Sequence, residues 1–159
     1  VSRIEDLVMG SFQEIIDDPR PMESVEKIIV CSGHIYYDLL AERDKVKADN
    51  VAIIRIEQFY PFHVERMKEI LGKYKGLKYL TWAQEEPTNM GPGTFIESLL
   101  LGLLPPNVTF NSVARPRSAS PAVGSHMIHK KQLSDLLNAV FSKEQPSIFE
   151  IASQTKARS

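Results

Sequence analysis

Three short apolar runs, each followed by a polar or amphipathic segment, constrain the fold of this chain more than any other feature. The runs cover residues 27–31, 51–56 and 77–83. Near-continuous apolar runs of this length are typical of strands that are buried on both faces. Because strands that alternate with helices build parallel sheets, we predict an α/β domain with a mostly parallel sheet.

Two helices are predicted between these runs. The first places Ile35, Leu39 and Val46 on one face. The second covers 63–71, and Gly72 is predicted to cap its C-terminal end. Each of these helices would connect one buried strand to the next.

Two further helices are predicted after the third run. One starts at Thr94, which together with Glu97 has the pattern of a capping box. The other is the clearest in the chain, because its apolar residues recur at the spacing of one helix face. These residues are Leu133, Leu136, Leu137, Val140 and Phe141.

Two more strands complete the predicted sheet. Residues 11–16, with Phe12 and Ile16 at even spacing, predict a short edge strand, and a turn at 17–21 follows it. Residues 108–113 predict a further strand, and a loop over 114–124 leads from it to the last helix.

The chain is predicted to form a single domain over 1–159, a length that allows a substantial core. Residues 1–26 are a lead-in with one helical turn at 4–9, residues 27–141 are the core, and 142–159 are a polar tail. Because the chain begins with Val1 rather than Met, we expect it to be a piece of a longer protein.

Composition excludes several classes of protein. The net charge is −1, from 19 basic and 20 acidic residues, so no basic field favours nucleic acid. The longest apolar run, 99–104, is far shorter than the ~20 residues of a membrane span. The one cysteine, Cys31, lies in an apolar run and is predicted to be a core residue in a reducing compartment.

The third run ends in a group of polar residues at the place where open α/β sheets carry their contact residues. The group comprises Gln84, Glu85 and Glu86, with Asn89 after the following proline. Adjacent side chains of an extended chain point in opposite directions, so the two carboxylates are not predicted to form an acid/base pair. A strand terminus with a subunit contact is favoured over proton transfer.

A second polar group, rich in arginine and serine, is a candidate anion site. Guanidinium groups suit phosphate and carboxylate, and hydroxyls with backbone N–H groups can complete an anion nest. The alternative, rated equally, is a surface loop whose arginines pair with the carboxylates of the strand end. The candidate residues are Arg115, Arg117, Ser118, Ser120 and Lys130.

Other polar motifs give weaker signals. The turn Ser32-Gly33-His34 could hold a phosphate but lacks a glycine-rich pattern. The four histidines lack metal-ligand spacing, and solvated or capping roles are favoured for them. No catalytic residue and no metal ligand is predicted in this chain.

Four groups of residues, taken in order, carry a specific resemblance. They are Val30-Cys-Ser-Gly33 with Tyr36-Tyr-Asp-Leu-Leu40; Arg55-Ile-Glu-Gln58 with Tyr60-Pro-Phe62; Trp82-Ala-Gln-Glu-Glu-Pro87 with Asn89; and Arg115-Pro116 with Ser118-Ala-Ser-Pro-Ala-Val-Gly124. Together they resemble the C-terminal domain of the thiamine-diphosphate-dependent first component of the 2-oxoglutarate dehydrogenase complex. The resemblance runs from about residue 4 to 141, and related pyruvate dehydrogenase and transketolase domains share the fold more than these residues.

The resemblance implies a fold of the transketolase C-terminal type. This is a three-layer α/β/α sandwich around a five-stranded, mostly parallel sheet with one antiparallel edge strand. Residues 12–16 are the candidate for that strand.

The resemblance also implies an activity for the parent enzyme. The parent decarboxylates 2-oxoglutarate on thiamine diphosphate with Mg²⁺ and succinylates a lipoyl group of the second component, in the citric acid cycle, with glycolysis as a further association. The Gly-Asp-Gly motif that holds Mg²⁺ in that family is absent here, so this piece is expected to bind no cofactor and to be inactive alone.

What the resemblance leaves to this domain is assembly and regulation. Expected partners are the upstream cofactor-binding domains, a second subunit of a homodimer, the dihydrolipoyl succinyltransferase component, and AMP or acetyl-CoA as effector. The location would be a bacterial cytoplasm or a mitochondrial matrix. The alternatives left open are a stand-alone anion- or nucleotide-binding module, a dimerisation module that uses 84–89, and the same domain of a 2-oxoadipate-type homologue.

Overall fold

A computed structural model describes residues 11–20, 24–121 and 124–142. Within these ranges the chain forms five strands and four helices, and helices and strands alternate after the first two strands. The predicted helical turn at 4–9 and the tail beyond residue 142 lie outside the described residues. The elements are β1 (Ile15–Ile16), β2 (Lys27–Cys31), α1 (Ile35–Val46), β3 (Val51–Ile56), α2 (Val64–Lys73), β4 (Tyr79–Pro87), α3 (Gly93–Leu103), β5 (Thr109–Arg115) and α4 (His126–Phe141).

The five strands form one mixed sheet in the order β1-β3-β2-β4-β5. Strands β2 to β5 pair in parallel, and β1 pairs with β3 in the antiparallel sense, with Ile15 opposite Ile56. The predicted three-layer α/β/α arrangement is confirmed, including the antiparallel edge strand. That strand is shorter than predicted, because Phe12 lies before it and is 67% exposed.

Each face of the sheet is covered by two helices. Ile54 and Trp82 face α2 and α3, whereas Ile53 and Ala83 face α1 and α4. Cys31 is buried in the second of these cores, as predicted, and burial raises the pKa of its thiol to about 12. None of the helices in the described ranges is long and apolar enough to cross a membrane.

A buried ion pair completes the edge of the sheet beyond β1. The carboxylate of Asp18 pairs with the guanidinium of Arg43 and also accepts the backbone N–H of Ile53 at 2.8 Å. Arg43 donates to the carbonyl oxygen of Val51 at 3.2 Å. These side chains therefore satisfy backbone groups on the part of β3 that β1 is too short to reach.

The ion pair corrects two predictions. Residues 17–20 are more than a simple turn, because Asp18 is one of the most buried polar residues. On α1 the inward face carries Arg43, while Val46, which we predicted on that face, is 47% exposed. We made no prediction for Arg43, because its buried partner lies 25 residues away in the sequence.

Two predicted helix caps are also wrong. Gly72 lies inside α2, which continues to Lys73. Thr94 lies within α3 rather than before it and makes no capping bond. Its predicted partner Glu97 instead accepts a hydrogen bond from the hydroxyl of Ser112 on β5.

Strands β4 and β5 extend further than predicted, and this places the candidate site. The polar residues after Ala83 remain extended, with Pro87 opposite Arg115 after an irregularity in the register. The carboxyl ends of the two strands therefore lie side by side. Val108 and Phe110 pack on the α2–α3 face of the sheet.

Candidate functional site

Gln84 organises the turn between β4 and α3. Its side chain is buried, and its Oε1 accepts the indole N–H of Trp82 at 3.0 Å. Its Nε2 donates to the carbonyl oxygens of Pro87 at 3.2 Å and Met90 at 2.9 Å. A Cβ at Gly93 would lie 2.6 Å from Oε1, so any larger residue at 93 would require the hydrogen-bonded amide of Gln84 to shift. The amide of Gln84 is thus committed to the turn.

The carboxylates of Glu85 and Glu86 point to different neighbours. Glu85 Oε1 lies 4.0 Å from Nδ1 of His129 on α4. Glu86 is exposed and lies against Gly91, whose φ of +71° makes the turn. The two groups therefore do not converge as an acid and base around one reacting atom.

Arg115 joins three parts of the site and is buried at the end of β5. Its Nε donates to the carbonyl oxygen of Glu85, and its Nη2 donates to that of Pro121. Its Nη1 donates to Oε1 of Gln132 on α4 at 3.2 Å. We predicted Arg115 in a loop that begins at 114, but it is the last residue of the strand. The predicted alternative of a carboxylate partner is replaced by carbonyl and amide oxygens.

Asn89 fixes the loop that follows β5. Its Nδ2 donates to the carbonyl oxygen of Ser118, and its Oδ1 accepts the N–H of Ser118, both at 3.0 Å. The hydroxyl of Ser118 accepts the N–H of Ser120 at 3.2 Å. The backbone N–H groups of both serines are therefore already used, which leaves the guanidinium of Arg117 as the group of this loop that could meet an anion. Arg117 is exposed. Within the described ranges, no hydrogen bond joins its side chain to another residue.

Lys130 lies away from this loop. It lines a depression of about 210 Å³ between α1 and α4, together with Glu42 and Lys45. Gln132, two residues further along α4, contacts Arg115. Because each helical residue turns by about 100°, the two side chains leave α4 about 200° apart. The structure therefore brings together the candidates on 84–120 but not Lys130.

The turn after β2, considered above for a phosphate, lies beside an arginine that is already engaged. The Arg55 guanidinium lies 4.6 Å from the ring centroid of Tyr36 and pairs with Glu57. Gly33 at the turn has a φ of +71°. Among the histidines, His63 is a cap: its Nδ1 accepts the N–H of Arg66 at 3.1 Å.

The described residues offer no convergent set of ligands for Mg²⁺. Mg²⁺ requires a convergent set of oxygen ligands, and no group of three His, Cys, Asp or Glu in 11–20, 24–121 and 124–142 could hold a metal. Glu85 and Glu86, the nearest candidates at the strand end, diverge. No step of a thiamine reaction can be assigned to these side chains.

The comparison with protein families decides the identity of the fold. A family described as "2-oxoglutarate dehydrogenase C-terminal" matches residues 1–141. This chain belongs to that family. The oxoglutarate dehydrogenase of Buchnera aphidicola subsp. Baizongia pistaciae is 41% identical over 138 residues, which are 86% of this chain and 15% of that protein.

Other relatives of the 2-oxoglutarate dehydrogenase family give the same result. The 2-oxoglutarate dehydrogenase E1 component of Cupriavidus necator is 37% identical over 90% of this chain and 15% of its own length. That of a Geobacillus species is 33% identical over 91% of this chain and 16% of its own length. This chain therefore spans about 15% of the length of the curated relatives it matches. The family and these names give no support to the association with glycolysis, and we withdraw it.

The side chains at the carboxyl ends of β4 and β5, together with the α4 residues that contact them, form a strand-end cluster that includes Gln84, Glu85, Asn89, Arg115 and Ser118. Two residues of this cluster were not recognised from the sequence. His129 and Gln132 are three residues apart on α4 and face Glu85 and Arg115. The spacing of three is the only local signal, since residues i and i+3 share a helix face. Their partners lie on strands whose position in the sheet depends on the whole fold.

Proposed function

We propose that this chain is the C-terminal domain of a 2-oxoglutarate dehydrogenase and carries no catalytic residue of its own. The parent would decarboxylate 2-oxoglutarate on thiamine diphosphate with Mg²⁺ and succinylate a lipoyl group of a dihydrolipoyl succinyltransferase component in the citric acid cycle. The observation that carries this proposal is the family match over 1–141 with relatives about six times as long. The relatives named above are bacterial, which supports a cytoplasmic location.

The role proposed for the domain is to brace the parent assembly as one block over 1–159. The sheet has helices on both faces, and its strand ends are closed by hydrogen bonds from Gln84, Asn89 and Arg115. A rigid block suits contacts with the upstream cofactor-binding domains and with a second subunit of a homodimer. The divergence of Glu85 and Glu86 supports a role other than proton transfer.

The parent activity is tested with the full-length protein encoded by the gene. Release of CO₂ from 2-oxoglutarate is measured with thiamine diphosphate and Mg²⁺, for the full-length protein and for the 159-residue chain. We expect the full-length protein to release CO₂ and the 159-residue chain to release none. Turnover by the short chain, or none by the full-length protein, would contradict the proposal.

We also propose that the loop after β5 binds the phosphates of AMP or acetyl-CoA as an effector. Arg117 would contact the phosphates, with the hydroxyls of Ser118 and Ser120 beside it. Arg115 and Asn89 would position the loop, because their donors are bound to protein oxygens. Support comes from the exposure of Arg117 next to a loop held in one shape. Lys130, on another side of α4, is not included.

Calorimetric titration of the 159-residue chain with AMP and with acetyl-CoA tests the effector site. We expect Arg117→Ala to weaken binding by about tenfold, the scale of one charge-assisted contact. Lys75→Ala, which removes an exposed cation at the opposite end of the sheet, is the matched control and should bind as the wild type does. Absence of binding to the wild type, or equal affinity of Arg117→Ala, would refute the site.

A further inference from the structure

The outer face of α3 has no charged side chain. Phe95 is 45% exposed and Leu101 is 55% exposed. The exposed positions recur at i, i+1, i+4, i+7 and i+8, so they form one continuous strip along the helix. These positions are Thr94, Phe95, Ser98, Leu101 and Gly102.

The outer faces of the other three described helices differ from this strip. A surface helix of a globular protein normally opposes its apolar stripe with charged residues, whereas a helix that is apolar on all sides is buried. The only charged residue of α3, Glu97, is hydrogen-bonded to Ser112 of the sheet. Exposed charged residues on the other helices include Asp44 and Lys45 on α1, Glu65 and Lys68 on α2, and Lys131 and Asp135 on α4.

The one polar group in the middle of the strip is satisfied within the helix. The hydroxyl of Ser98 lies 3.1 Å from the carbonyl oxygen of Thr94 and 3.0 Å from that of Phe95. A hydroxyl bonded to its own helix can lose water without leaving an unpaired donor. The strip can therefore be covered by an apolar partner at little polar cost.

A surface depression adjoins the C-terminal end of α3. It has a volume of about 320 Å³, and Leu71, Leu77 and Leu103 line it together with Lys68 and Lys75. Exposed apolar surface, such as the strip that ends beside this depression, marks sites of contact with other protein segments. A side chain of such a segment could enter the depression while the segment lies along the strip.

The size of the strip distinguishes between possible occupants. An 11-residue helix is about 16 Å long and about 10 Å wide. The area of its outer face is therefore much smaller than the ~800 Å² that each partner buries in a stable interface between separate chains. A segment of the same polypeptide needs less area, because covalent linkage supplies a high effective concentration. Relatives of this chain have about 85% of their length outside the matched region.

We infer that the strip on α3 is the surface on which an apolar segment of the preceding part of the full-length polypeptide docks. This inference rests on the proposed function, in that it requires the chain to be the C-terminal domain of a longer enzyme. It adds the location of the contact and its chemistry. The occupant would be uncharged and apolar, and it would cover Phe95 and Leu101.

Cysteine labelling tests this inference. Leu101→Cys is introduced into the 159-residue chain and into the full-length protein, and the rate of maleimide labelling at that position is measured by mass spectrometry of peptides. Cys31 is buried and should not interfere. We expect labelling in the full-length protein to be at least about tenfold slower than in the short chain, because the position is covered. The matched control, Glu69→Cys on the charged outer face of α2, should label at equal rates in both.

Three outcomes would overturn the inference. One is equal labelling of Leu101→Cys in both proteins, and another is a gene product with nothing before Val1. The third is protection of Leu101→Cys in the short chain as its concentration rises, since the occupant would then be a second copy. Decarboxylation of 2-oxoglutarate by the same full-length protein separates the two proposals. An active protein with an uncovered Leu101 refutes only the docking surface, and an inactive protein refutes the proposed function while the labelling rate still decides the surface.

Discussion

At the scale of single residues, Gln84 and Gly93 determine the shape of the strand-end cluster. Four hydrogen bonds hold the Gln84 amide beneath the turn, and Gly93 lets the start of α3 approach it. A glutamine after an apolar run was read as contact surface in the sequence. In the structure this amide is a buried support on which the exposed residues of the turn depend.

A pair of glycine substitutions in α3 tests this arrangement. Gly93→Ala would place its Cβ 2.6 Å from the fixed Oε1 of Gln84, so we expect a loss of about 1–3 kcal/mol in the free energy of unfolding. Gly102→Ala meets no atom within 4 Å and should gain up to about 1 kcal/mol from helix propensity. Urea denaturation of both variants measures the effect. Equal stability of the two would show that Gln84 is not held in place.

Lys27 gives a prediction about pH. Burial lowers the pKa of its amine from 10.5 to about 8, and the amine donates to the carbonyl oxygen of Val140 at the end of α4. Between those two values the unfolded chain binds the proton that the folded chain has lost. The contribution of Lys27 to stability is therefore least favourable below about pH 8 and improves as pH rises toward 10.5.

Lys27→Met should remove this dependence. At pH 7 we expect the variant to be more stable by about 2 kcal/mol, after allowance for the lost hydrogen bond. The difference from the wild type should shrink through pH 8 to 10. Urea denaturation at several pH values measures it, and the exposed variant Lys75→Met is the control. A constant difference between Lys27→Met and the wild type would contradict the assignment.

At the scale of elements, the shortness of β1 explains why a charged pair is buried at the sheet edge. With two residues, β1 covers only the Arg55–Ile56 end of β3. Asp18 and Arg43 bind the N–H of Ile53 and the carbonyl of Val51, which a longer β1 would otherwise pair. The lead-in segment is thereby attached to α1 as well as to the sheet.

Breaking this pair should be costly. Asp18→Asn retains an oxygen for the N–H of Ile53 but leaves the buried guanidinium of Arg43 without a counter-charge. We expect a loss of about 3–5 kcal/mol, typical of a buried pair that loses one partner. Asp135→Asn, which breaks an exposed pair with Lys131 on α4, should cost less than about 1 kcal/mol. Thermal and urea unfolding compare the two, and similar losses would argue against a structural role for Asp18.

At the scale of the whole molecule, the sequence predicted the layers because local patterns encode them. The bounds of β2 and β3 agree with their apolar runs, since burial on both faces requires such runs. The ends of β4 and β5 were missed because Pro87 and Arg115 stay extended only by pairing with each other across the sheet. Contacts between distant residues leave no mark in a short window of sequence.

The position of the candidate site in the sheet was predictable from the sequence. Which of its side chains are buried supports and which are exposed was not. The polar residues at strand ends predicted that their side chains share one edge of the sheet, and Asn89, Arg115 and Ser118 do lie at that edge. Which of them faces inward depends on α4, whose Gln132 reaches Arg115. The same helix places Lys130 in the depression beside α1. Because Lys130 is close to the loop in the sequence, we had predicted it to be part of the site.

The most direct test of the account is calorimetric titration of the 159-residue chain with thiamine diphosphate in the presence of Mg²⁺. The account treats this domain as a support for a reaction centre located in other parts of the parent enzyme. It therefore predicts no heat of binding from the short chain, while the full-length protein binds the cofactor. Saturable binding of thiamine diphosphate by the short chain would contradict it.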